Sequence, residues 1–120
     1  MMEKVNLAEK LSLFSEHWSP RIVGELNGQE VRIAKVQGEF IWHSHEDADE
    51  LFLVIDGRLT IELRDREVVL EPGELFVVPR GVEHKPVAEE ETSILMVETA
   101  GTKNTGEVTE ERTIETLERI

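Results

Sequence analysis

Apolar and polar positions along the chain follow two regimes. Leu7, Leu11 and Phe14 share the spacing of one helical face, and Asn6, three residues before Glu9, forms a capping-box pattern ahead of them. This predicts a short helix from Leu7 to Phe14. Ser19-Pro20 closes the segment, because the residue before a proline avoids helical angles. From Arg21 onward the chain breaks into short β-rich runs punctuated by Asn27-Gly28, Asp56-Gly57, Asp65-Arg66 and Pro72-Gly73. Strands are expected over Ile22 to Leu26, Val31 to Ile33, Phe40 to His45, Glu50 to Ile55, Arg58 to Leu63, Glu67 to Leu70, Leu75 to Val78, Glu83 to Val87 and Ser93 to Glu98. Many short strands at such spacing describe an all-β antiparallel barrel or sandwich.

Leu51 to Ile55 is apolar without alternation, which implies a strand covered on both faces. Leu75 to Val78 repeats the signal. The amino-terminal helix or the sheet of a second subunit could supply the outer cover, and a homodimer is expected; one thick sandwich is the alternative. After Glu98 the chain turns polar, so residues 99–120 read as a peripheral tail, beside a helical segment over 1–20 and a barrel over 21–98.

A chain of 120 residues suits one domain with one core. Twenty-six Asp and Glu against 13 Lys and Arg give a net charge of −13. That charge disfavours nucleic acid and anionic membrane surfaces as partners. With no cysteine, disulfides and thiolate chemistry are excluded, and any metal must be held by nitrogen and oxygen. Neither a signal-peptide pattern nor a membrane-length apolar run is present, so a cytoplasmic location is expected.

Four histidines occur, and His43 and His45 are two apart in a predicted strand, which puts both imidazoles on one face. Glu50 opens the next strand, sharing a face with Phe52 and Val54. His84 follows Pro79-Arg80-Gly81 at the start of another strand; were that strand a neighbour of the first, three imidazoles and a carboxylate would converge. Such a donor set suits a borderline divalent ion such as Zn, Fe, Ni or Mn better than calcium.

Two stretches resemble the two motifs of the cupin superfamily. In the first, Gly38 leads to His43 and His45, with four residues between His45 and Glu50 and six between Glu50 and Gly57. In the second, Gly73 is followed by Pro79, Gly81 and His84. Two departures occur, four residues rather than five between Gly38 and His43, and Ala88 where the second motif often has asparagine; neither is a ligand position. The resemblance covers Gly38 to Ala88 and implies a double-stranded β-helix, or jelly-roll barrel, with His43, His45, Glu50 and His84 as metal ligands. The whole chain is similar to small single-domain cupins of the mannose-6-phosphate isomerase-like kind, whose tails carry the Asn104-Thr105-Gly106 pattern.

Other side chains are weighed against these. His17, beside Trp18, lies outside both motifs. Glu46, Asp47 and Asp49 sit in a turn and read as solvated charges, and Arg80 and Lys85 flanking His84 read as surface cations or as holders of an anionic substrate. Ile41, Phe52, Val54, Val82 and Pro86 fall on the inner face, and Trp42 on the outer. The expected function is that of a metal-dependent enzyme, an isomerase or dioxygenase, acting on a small organic molecule such as a carbohydrate or carboxylate. A non-catalytic module that binds a small molecule or senses a metal is the alternative; a purely structural metal is the third reading.

Overall fold

Turn chemistry sets the frame. Asn27 and Gly28 take φ of 50° and 77°, the positive values a two-residue hairpin needs to match strand twist. They join β1 (Arg21–Leu26) to β2 (Gln29–Glu39). The computed structural model describes residues 3–120. One helix, α1 (Leu7–Leu11), precedes these strands, and six more follow: β3 (Glu50–Asp56), β4 (Leu59–Leu63), β5 (Glu67–Leu70), β6 (Leu75–Val78), β7 (His84–Thr99) and β8 (Glu118–Arg119). At the β3–β4 turn Gly57 has φ 97°, and a Cβ there would lie 2.5 Å from Thr92 Oγ1, so glycine is required on both counts.

β7 organises the sheet. One edge pairs antiparallel with β2; the other pairs with β4 near its start and with β3 further along. β5 extends β4, β6 extends β3, β1 extends β2, and β8 joins β1 in parallel. The result is the expected all-β jelly-roll, although no ladder joins β5 to β6 and the sheet is not closed. Inside lies a core that includes Val36, Phe52, Val54, Leu59, Ile61 and Ile94. Val54, Leu59 and Ile61 are fully buried, each stabilising the fold by roughly 1.5–3 kcal/mol.

Four elements differ from the expectations. The helix stops at Leu11, where the Ser12 hydroxyl donates to the Glu9 carbonyl at 2.6 Å and competes with helical bonding; Phe14 nevertheless packs with Leu11 on Ile33. Phe40 to His45 is extended but is not a ladder strand. Phe40 N–H donates to the Pro86 carbonyl (3.0 Å), and His43 and His84 exchange a pair of backbone bonds (3.1 and 2.9 Å). Three residue steps on one side therefore face two on the other, and Pro86 has no N–H to return. The runs expected as two strands at Glu83 to Val87 and Ser93 to Glu98 are one strand, β7, whose exposed Glu89, Glu90 and Glu91 fall where the β2 ladder shifts register.

The fourth is the tail. It lies against the barrel: Thr105 is fully buried and Asn104 nearly so, Glu107 N–H donates to the Ser44 carbonyl, and Ile120 joins the α1 cluster. On β3, Glu50, Phe52 and Val54 are buried while Leu51, Leu53 and Ile55 are half-buried. α1 covers Ile55 and Leu95 of that outer face. No helix among the described residues is long and apolar enough to cross a membrane.

Candidate metal centre

Backbone pairing brings the two motifs together. Directly opposed residues of an antiparallel pair point to the same side, so the His43–His84 bridge sets those two rings 4.3 Å apart, centroid to centroid. His45, two residues on, keeps the parity of His43, and its ring lies 5.1 Å away. Glu50 enters from the start of β3. Ligand atoms of His43, His45, Glu50 and His84 all lie within 4.8 Å of one another, and all four side chains are buried.

The hydrogen bonds leave the inward atoms available. His43 Nδ1 donates to the Ile41 carbonyl at 2.9 Å and His84 Nδ1 to the Val82 carbonyl at 3.0 Å. A carbonyl only accepts, so Nδ1 carries a proton in both rings; the His43 Nε2 then presents a lone pair, and the His84 Nε2 lies 3.2 Å from Glu50 Oε1. His45 is buried with no hydrogen-bond partner on either ring nitrogen; its Nε2 is 3.2 Å from Glu50 Oε1 without hydrogen-bonding geometry. Orphaned buried nitrogens of this kind need explanation, and a cation in the cluster supplies it. Burial and the neighbouring His84 push the His43 imidazole down to about 4, so it is neutral and ready to ligate at neutral pH. Burial pushes the Glu50 carboxyl up, but a hydrogen bond from Glu98 and the adjacent His45 and His84 imidazoles outweigh it and hold the group well below the usual range.

This donor set is one buried carboxylate and three buried imidazoles. It fits a borderline divalent ion with positions to spare.

A buried ionic cluster backs Glu50. Across β3, β7 and β2 the register sets Glu50, Glu98 and Glu30 side by side. Arg32 donates from Nη1 to Glu98 (2.5 Å) and from Nε and Nη2 to Glu30 (3.1 and 2.7 Å). Burial and the Glu50 charge raise the Glu98 carboxyl well above its ordinary value, which makes it the donor toward Glu50 and accounts for its otherwise unpartnered Oε2. Sequence reasoning missed these three residues, although the alternation Glu30-Val31-Arg32-Ile33 carried the signal.

Beside the four clustered side chains lies a cavity of about 30 Å³ lined mainly by apolar side chains, Trp18, Phe40, Phe52 and Met96 among them. Phe52 and Pro86 line it as expected; Ile41 does not. Val54 and Val82 pack in the core. Trp42 faces away from the site under the Arg64 guanidinium, 3.8 Å from its ring centre. The remaining candidates stand apart. His17 pairs with Glu91 at 2.7 Å, Arg80 with Asp49, and Lys85 with Glu39 and Glu62. Glu46, Asp47 and Asp49 are exposed loop charges.

Residues 29–99, which carry all four clustered side chains, match the family model described as a cupin domain. The chain belongs to the cupin family. A cupin-2 domain containing protein from Shewanella frigidimarina shares 48% identity, with a TM-score of 0.78 over 79% of this chain and 93% of that one. Protein NMB1881 from Neisseria meningitidis shares 28% identity, with a TM-score of 0.75 over 82% of this cupin and all of that chain. The uncharacterized protein YdbB of Bacillus subtilis (strain 168) is 39% identical over 77 residues, 63% of this chain and 68% of that protein.

Proposed function

We propose that this cupin holds one divalent ion through His43, His45, Glu50 and His84 and uses it to act on a small organic ligand as a metal-dependent enzyme. The observation that carries the reading is His45, buried with both ring nitrogens unpartnered within a cluster of imidazoles and one carboxylate. Four protein ligands on an ion able to take five or six leave room for a ligand oxygen or nitrogen, and a bound ion supplies Lewis-acid polarisation there. The chain's own residues orient the site. Ile41 and Val82 carbonyls fix the tautomers of two imidazoles, Glu98 steadies Glu50, and aromatic side chains wall the adjoining cavity.

Elemental analysis of protein from its native source tests this. One divalent ion per chain is expected, and its identity separates redox from Lewis-acid chemistry. His84→Ala should bind that ion more than about 100-fold more weakly, since outer-shell partners alone carry 10–100-fold. Full occupancy in a folded His84→Ala protein would sink the proposal. A second reading, a non-catalytic binding module, is favoured by one observation: Arg32, Glu30 and Glu98 close on one another and offer the chamber no unengaged acid or base. Turnover assays on ligands found by thermal shift separate the two.

We also propose that the chain is a homodimer through the outer face of β3, β6 and β7. The register aligns Val77, Leu51, Val97 and Val31 in one row and Leu75, Leu53, Leu95 and Ile33 in the next. α1 takes the Leu95 and Ile33 end, while Leu75 and Val77 are exposed, and a second copy of the same face completes the cover.

A further inference from the structure

The four clustered side chains are closed off from water. His43, His45 and Glu50 are each 4% exposed and His84 is fully buried, so an incoming ion reaches them only if something that covers them moves. Part of that cover is the tail. The Gly106 backbone lies over the His43 ring, where an added Cβ would come within 3.3 Å of Cδ2. Glu107 N–H donates to the Ser44 carbonyl at 3.1 Å, and Asn104 lines the cavity beside His43 and Glu50.

Residues 104–114 hold their own shape. The Asn104 side chain ties the two ends together: Nδ2 donates to the Arg112 carbonyl and Oδ1 accepts from Ile114 N–H, both at 2.9 Å. Within the loop the Thr105 and Thr113 hydroxyls share a hydrogen bond of 2.6 Å. Joined ends and an interior filled by the segment's own side chains are the construction of an Ω-loop.

The fastening of this loop to the barrel is slight by comparison. Val108 is the only large apolar side chain between Gly101 and Thr113, and it is exposed, so lifting the loop uncovers little apolar surface. Besides the Glu107–Ser44 bond, Arg112 provides the hold: its Nη1 donates to the Glu39 carbonyl at 3.1 Å, and its guanidinium lies 4.9 Å from the centre of the Phe40 ring. Both attachments land on the extended segment that carries His43. At one end of the loop Gly101 holds φ of 86° in open space. At the other, residues 115–117 lead to β8, which anchors the chain on β1.

We propose that residues 102–114 are a hinged cover, latched by Arg112, that swings away as one body and opens a route to His43 and His45. The cover stands on this geometry alone; only its cargo, a divalent ion and then a ligand, rests on the proposed metal.

Amide exchange of the metal-free protein tests it, since an amide exchanges through the opening that breaks its hydrogen bond. Three amides report separately: Glu107, bonded to the barrel; Ile114, bonded within the loop; and Val54, bonded to the Glu74 carbonyl. In the wild type Glu107 should exchange faster than the other two. In Arg112→Ala it should quicken at least about 10-fold further, the factor expected from losing a cation–π contact and a charged hydrogen bond, with Ile114 and Val54 unchanged. Ile114 quickening together with Glu107 would mean that the loop unravels, and an unchanged Glu107 would mean that Arg112 is no latch; either overturns the proposal. Cobalt(II) uptake, followed by its absorption, is the second arm. It should quicken by the same factor in Arg112→Ala at unchanged affinity, because the cover gates entry and supplies no metal ligand; equal uptake rates would remove the gate. Absence of cobalt binding while Glu107 still responds would sink the metal reading and leave the hinged cover standing.

Discussion

His43 illustrates how burial tunes a single titratable residue. Its imidazole sits near 4 in the folded protein, against a value near 6.5 for the unfolded chain. Between those limits the unfolded state binds the extra proton, so acid favours unfolding. The stabilisation is complete above about pH 6.5 and is lost as the pH falls toward 4, amounting to about 3 kcal/mol. Denaturant unfolding of metal-free protein at pH 7, 5.5 and 4 should show this decline. In His43→Leu that component of the slope should vanish, and an unchanged slope would mean the imidazole is solvated. Glu98 shows the opposite adjustment: a carboxyl placed beside another carboxylate and away from water keeps its proton.

At the scale of elements, the segment from Asn104 to Gly106 matters more than its polar composition suggests. Gly106 has φ 61°, and a Cβ there would collide with the Ser44 carbonyl and lie 3.3 Å from His43 Cδ2. Gly73 has φ 85° with nothing close by. Both glycines therefore carry the backbone cost of positive φ, but only Gly106 also carries a steric one. Gly106→Ala should lower stability by at least about 1–2 kcal/mol beyond Gly73→Ala, read from paired thermal unfolding curves, and it should shift His43 resonances while Gly73→Ala does not. Equal losses would show that the tail does not press on the Ser44–His43 side of the barrel. The extended Phe40–His45 segment follows related logic. Pro86 and an extra residue deny it a regular ladder, yet the single His43–His84 bridge suffices to bring those two candidate ligands together.

For the whole molecule, two apolar rows cross four strands on the outer face, and α1 reaches only one end of them. Light scattering should give twice the mass expected for the 13.7 kDa chain, and Leu51→Glu with Val77→Lys should halve it without unfolding the barrel. A monomeric wild-type protein would show that these rows tolerate water. The net charge of −13 is carried mostly on the outside. Inside, Arg32 is matched by Glu30, while Glu98 keeps its proton beside Glu50.

Much of this was legible in the sequence. Strand parity aligned His43 with His45 and put Glu50 beside Phe52, since period-2 alternation is a local property; turn pairs located the hairpins because positive φ restricts residue choice. The motif spacings identified the family and with it His84. The sequence did not show that Arg32, Glu30 and Glu98 stand behind Glu50, because three strands remote in the chain must first come into register. Nor did it show that Trp18 and Asn104, from opposite ends of the chain, reach one cavity. Local periodicity decides which way a side chain points, while non-local pairing decides what it meets there. His43, His45 and Glu50 could be read from the first and His84 from the motif resemblance; the ionic cluster behind them and the aromatic wall beside them exist only through the second.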